Sequence, residues 1–179
     1  MSSRTLRLPV AGALLGLAIG LAATMPARSQ SGACVLASDE HNPGSKILRC
    51  GDDLLVRAAP GTSYHPVDQQ GTELPKALQL DAGALMIEFH PSGEQKDFQI
   101  LTPRAIAAVR GTKWVVEVAP ARTSTLVISG EVAVKRLHAD QTVVLGPGQG
   151  VDVTAGRRPL AVKRWPKLRV KALLARFGE

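Results

Sequence analysis

Aromatic side chains make up only 3% of this chain: two Trp, three Phe and one Tyr among 179 residues. So few rings leave a core that has to be built from aliphatic side chains. Histidine is also sparse and scattered. His41, His65, His90 and His138 lie in or beside polar, turn-like stretches. None forms the HxH, HExxH or His-plus-Cys spacing that zinc requires. There is no Gly-x-Ser-x-Gly elbow. Pro147-Gly-Gln-Gly150 lacks the lysine of a phosphate loop, and Asp68-Gln-Gln-Gly71-Thr-Glu73 lacks the alternating acids of a calcium loop. Asp52-Asp53 would point to opposite faces if extended. These shortages imply no metal, no cofactor and no catalytic residue, and the expectation is a protein that is not an enzyme.

Cysteine is scarce too. Cys34 and Cys50 are the whole complement, so a disulfide has only one connectivity. Closing a loop of about 15 residues would contribute about 3 kcal/mol in the chain-entropy model. Two free thiols, or half a metal site with only His41 between them, are the competing readings. The disulfide is the expectation, stapling an N-terminal segment of residues 30–76.

Long apolar runs are absent but for one. Leu8–Ala23 is 16 residues without a charge, preceded by Arg4 and Arg7 and followed by Ala27-Arg28-Ser29. A short basic start, an apolar centre and small residues before the cut describe a secretory signal peptide over residues 1–29. The run falls short of the roughly 20 residues that a spanning helix needs, which leaves a retained anchor as the minority reading. The expected location is therefore the periplasm or the exterior.

What the chain does have is aliphatic. Hydrophobic residues reach 45%, with 17 Gly and 12 Pro as punctuation, a composition suited to many short strands. Ile47–Arg49 and Leu54–Arg57 are the first candidates. His65-Pro66 and Gln70-Gly71 then read as turns. From residue 77 short apolar runs recur: 77–80, 84–89, 98–101, 105–109, 114–118, 125–128, 132–136, 142–145 and 151–154. Trp114, Val116 and Val118 share one face, with Lys113 and Glu117 on the other; Val132 and Val134 oppose Glu131 and Lys135. Ser129-Gly130 between two such runs reads as a tight hairpin. The predicted architecture is all-β, with stacked short strands as a β-sandwich or an irregular β-solenoid.

The tail differs. Val170, Leu173, Leu174 and Phe177 fall at i, i+3, i+4 and i+7, Pro166 suits a first helical turn, and Gly178 suits a C-cap. Lys167, Arg169, Lys171 and Arg176 flank the stripe, with Trp165 before it. Residues 156–179 carry eight basic residues and one acidic, whereas residues 30–155 carry 11 basic and 14 acidic. A net of +7 on the tail against −3 on the body locates the charge asymmetry. Two readings follow for the tail: an amphipathic helix docked on the body, or a contact surface for a partner.

The stretch 98–118, centred on Thr102-Pro103, Arg110-Gly111-Thr112 and Trp114, resembles the signature of FecR-domain proteins. Asp81–Leu85 before it, Thr125–Val134 with Gly130 after it, and Val144–Val151 with Gly148, Gln149 and Gly150 extend the resemblance over residues 77–155. Their chemistry reads as structural. Pro103 removes a donor at a strand boundary, Gly111 permits close backbone approach, and Arg110 offers five donors to loop carbonyls or a carboxylate. FecR-type regulators resemble membrane-crossing anti-sigma proteins whose periplasmic part hears from an outer-membrane receptor. Only about seven residues precede the apolar run here, so the resemblance implies the periplasmic β-domain alone. The expected function is a non-catalytic periplasmic module that binds an envelope protein, such as a membrane-bound sensor or receptor, with the tail over residues 165–177 or an open strand edge as the contact. A cell-wall or glycan-binding structural module is the alternative. No nucleic-acid partner is expected of an exported protein, and an anionic membrane surface is a second candidate for the basic tail.

Overall fold

The computed structural model describes residues 34–67, 74–92 and 94–179. The expected signal peptide over residues 1–29, the Gln70-Gly71 turn and the stretch Asp68–Glu73 lie outside them. Among the described residues eleven strands form one open mixed sheet, followed by a single short helix. The strands are β1 (Cys34–Ser38), β2 (Lys46–Cys50), β3 (Leu54–Ala58), β4 (Ser63–Val67), β5 (Ala77–Phe89), β6 (Phe98–Leu101), β7 (Ala105–Ala119), β8 (Arg122–Arg136), β9 (Thr142–Leu145), β10 (Gln149–Thr154) and β11 (Lys163–Arg164). Helix α1 spans Lys167–Leu174 and tightens into a 3₁₀ turn over Ala175–Phe177. Among the described residues no helix is long and apolar enough to cross a membrane.

Three strands are much longer than their sequence runs. The pairs 77–80 with 84–89, 105–109 with 114–118, and 125–128 with 132–136 each fuse into one strand, of 13, 15 and 15 residues. Each fusion carries a left-handed glycine at its centre: Gly83 (φ 92), Gly111 (φ 56) and Gly130 (φ 81). At each one the inward parity changes. Leu78 and Leu80 give way to Leu85, Ile87 and Phe89; Ala107 and Val109 give way to Trp114 and Val116; Val127 gives way to Val132 and Val134. Each of these strands thus switches which residues face the core, keeping apolar side chains inward on both halves. Ser129-Gly130 is therefore no hairpin turn: it lies inside β8 at a β-bulge, where Gly111 and Thr112 oppose Gly130 alone.

The bends fold the sheet on itself into two layers. The first contains β1, β2, β3, the second halves of β5 and β7, the first half of β8, β10 and β11. The second contains β4, the first half of β5, β6, the first half of β7, the second half of β8, and β9. Phe98 pairs with Val109, yet its ring centroid lies 6.2 Å from that of Trp114. A straight β7 would carry Trp114 about 16 Å past Val109. Phe89 also meets Phe98, its tilted ring centroid 5.5 Å away, so three of the scarce aromatics meet in the core between the layers.

The N-terminal segment belongs to this body. Cys34 lies opposite Cys50 across β1 and β2 and is disulfide-bonded to it. Beyond them β3 pairs with β5 and sends Leu54 and Val56 into the shared core. His65-Pro66 is not a turn but lies in β4. That strand pairs only with β5 among the described residues, so the N–H that Pro66 lacks is tolerated on an edge.

Candidate functional site: the docked tail and the strand corners

The central strands of the first layer are apolar on both faces. Trp114 and Val116 of β7, Ile87 of β5 and Val127 of β8 point into the core between the layers. Their neighbours Val115, Met86, Ala84 and Leu126 point the other way, with Ala59, into a second cluster. Such strands need cover on both sides. The tail supplies the second cover: Trp165, Leu173 and Phe177 are buried in that cluster, with Val170 and Leu174 packed at its margin. The helical stripe is thus already docked on the chain itself, with Leu173 and Phe177 buried and Val170 and Leu174 half-buried.

Carboxylates from separate strands receive the basic residues of the tail. Arg169 meets Asp152 of β10 through two bonds, at 2.6 and 2.9 Å, and its guanidinium carbon sits 3.4 Å from the centroid of the Trp165 ring. Arg176 donates to Glu117 of β7 at 2.6 Å. Glu179 lies 2.9 Å from Lys113 and 3.3 Å from Arg57, and Lys113 also meets Glu88. The side-chain amide of Asn42 donates to the carbonyl of Arg176. Burial alone would raise the Asp152 carboxyl, but hydrogen bonds from Arg169 and Ser124 and attraction from Arg169 and Arg122 outweigh it and hold its pKa low. Burial opposes the charge of Lys113, and Glu179 and Glu88 overcome it, leaving its pKa raised. Part of the charge asymmetry is therefore spent within the molecule. Lys167, Lys171 and Leu168 face outward, Leu168 at 82% exposure.

The signature residues occupy corners and turns. The Thr102 hydroxyl donates to the Ala105 carbonyl at 2.7 Å, accepts from the Ala105 N–H, and lies 3.1 Å from the hydroxyl of Thr123 in the first layer. It thereby fixes the Thr102-Pro103 bend against the opposite layer. Thr112 Oγ1 is 3.1 Å from the carbonyl oxygens of both Arg110 and Glu131, across the β7–β8 bulge. Arg110 does not tie loop carbonyls; it pairs with Asp97 at 2.8 Å on the open surface. Gln149 accepts from the Gly146 N–H and closes the turn that carries the chain from β9 to β10. Gly148 passes under the Arg164 side chain, and Gly150 forms a bare floor for the indole of Trp165.

The carbonyl-tying arginine is Arg136, which sequence reading did not single out. It is buried. Its guanidinium donates to the carbonyls of Thr154, Gly156 and Arg158, and to Gln141. It pins the start of the tail to the end of β8. Its partners lie on the far side of two turns, so no local pattern announces it. Among the described residues no group of three His, Cys, Asp or Glu is placed to hold a metal ion.

The site is thus an all-β body with its own tail strapped across one face, and its charged residues pair with one another around that strap. This chain belongs to the FecR protein family, whose model matches residues 42–133, just over half of the chain. The match begins ahead of residue 77 and takes in β2 and β3. Two crystal structures of a candidate anti-sigma factor from Parabacteroides distasonis share the fold. One has a TM-score of 0.58 at 19% identity over 78% of this chain, and the other 0.59 at 18% over 79%. This chain spans 64% of the length of each. No curated protein matches the sequence.

Proposed function

We propose that this chain is an exported, non-catalytic signalling module that acts by binding a protein of the cell envelope. Membership of the FecR family carries the reading, and the anti-sigma description of the structural relatives points toward a regulatory partner as well. The body suits such a role, with a two-layered sheet cross-linked by a disulfide that presents fixed surfaces. Two exposed features offer contacts. Strand β1, which pairs only with β2 among the described residues, presents Val35 and Leu36, each about 60% exposed, and has no charged residue of its own. A strand edge of this kind is a template for strand addition. The outward side of α1 presents Leu168 between Lys167 and Lys171.

The test is affinity capture from envelope extract with the oxidised mature protein as bait. The expected result is a stoichiometric partner that a reduced, unfolded control does not retain. Failure to retain any specific protein would remove the partner from the account.

A further inference from the structure

The bed under the tail has the features of a receptor groove. Its floor is apolar, formed by Ala59, Ala84, Met86, Val115 and Leu126, and its rim offers the tail's arginines Glu117 and Asp152, which Arg122 of the body also approaches, while Glu88 is held by Lys113. We propose that the tail is a removable cover, and that this groove takes a basic amphipathic helix from a partner protein in its place. The proposal rests on the partner-binding reading above and names the site and the chemistry of the partner. The occupant must present two large apolar side chains one turn apart, as Leu173 and Phe177 do, and flanking arginines, as Arg169 and Arg176 do.

Three observations make the tail displaceable. Its ion pairs are all partly exposed to solvent, and such pairs are weak and screened by salt. Helix α1 has eight residues and no side-chain N-cap, too short to persist alone in water. Most telling, the two cores are separate. The cluster between the layers takes no residue from the tail helix, so lifting the helix uncovers the groove without opening that core. Arg136 meanwhile holds the chain as far as Arg158, Leu160 and Val162 pack against the core between the layers, and β11 pairs with β10, so the arm that lifts is the segment after Arg164.

The probe is a fluorescein-labelled peptide of residues 163–179, titrated into the full chain by anisotropy. An intramolecular occupant lowers apparent affinity by the fraction of open groove. Wild type should therefore bind weakly, and Arg176→Ala/Phe177→Ala, which loosens the attached tail, should bind about tenfold more tightly. Adding Glu117→Gln and Asp152→Asn to the loosened chain should reverse that gain. Raising NaCl from about 50 to about 500 mM should weaken binding several-fold. Arg169→Ala serves as the loosened chain if the double variant does not fold by circular dichroism. The groove is overturned if a folded, loosened chain with unprotected amides over 167–177 leaves the peptide unbound, or binds it equally without the two carboxylates. A dimer that forms only when the tail is present would assign the groove to a second copy and overturn the partner helix. Capture from envelope extract reads the partner separately: peptide binding without capture sinks the partner reading, and capture without peptide binding sinks the groove.

Discussion

A Cβ placed on Gly130 would come within 2.7 Å of the carbonyl oxygen of Gly111, its neighbour across the β7–β8 bulge. The two glycines differ in what a side chain would meet. At Gly130 a left-handed backbone and a collision with β7 coincide, since Thr112 Oγ1 would lie 2.8 Å away as well. At Gly111 the backbone is left-handed but nothing stands within 4 Å. Gly130→Ala should therefore cost about 3 kcal/mol or more, and Gly111→Ala only about 1–2 kcal/mol. Urea denaturation of the two variants checks the difference. Equal losses would mean that the corner is not packed as described.

That corner also shows what the sequence made legible and what it hid. Trp114, Val116 and Val118 announce a core-facing strand by their spacing alone, and the runs over 98–101 and 142–145 coincide with β6 and β9. A glycine between two strand-like runs, however, has the same local signature whether the chain reverses there or only bends. Ser129-Gly130 looks like a hairpin for that reason, and only the partner strand decides. The helical stripe of the tail was readable, as was its basic character. Its seats at Glu117 and Asp152 were not, because they come from strands 35 residues apart in sequence that neighbour each other only through β8.

The disulfide between Cys34 and Cys50 joins the edge strand β1 to β2. Replacing both cysteines by alanine should lower stability by about 3 kcal/mol in the chain-entropy model. Hydrogen exchange should show the loss first in β1, which pairs only with β2 among the described residues. An unchanged urea midpoint and unchanged β1 protection would contradict this.

Arg136 replaced by Met should cost about 3 kcal/mol, because the carbonyls of Thr154, Gly156 and Arg158 lose their donor together. Arg136→Lys should recover little, since one ammonium cannot span three carbonyls in the guanidinium's geometry. Thermal melts of both variants, with indole fluorescence of the tail, make the test. Full rescue by lysine would show that charge, not the fork of donors, is what matters.

Docking of the tail should depend on pH at both extremes. The Asp152 pKa is depressed in the fold, so its contribution is present above its unfolded value, near 3.9, and is lost as pH falls through the lower folded pKa. The Lys113 pKa is raised, so its contribution is intact below 10.5 and is lost as pH rises through the folded value. Amide protection over 167–177 should be level between about pH 5 and 9, falling in acid and in strong alkali. Asp152→Asn should remove much of the acid limb. A tail that loosened near pH 7 would contradict these assignments.

This module is expected to meet a protein partner through its folded surface. Photo-crosslinking in intact cells measures that most directly, with a photoactivatable residue at Val35 on the edge strand, at Leu168 on the outward helix face, or at Met86 under the tail. The expected result is a discrete adduct with one envelope protein from at least one of these positions, lost when Gly130→Ala disrupts the corner. No adduct from any of the three, in cells where the protein is exported and folded, would contradict it.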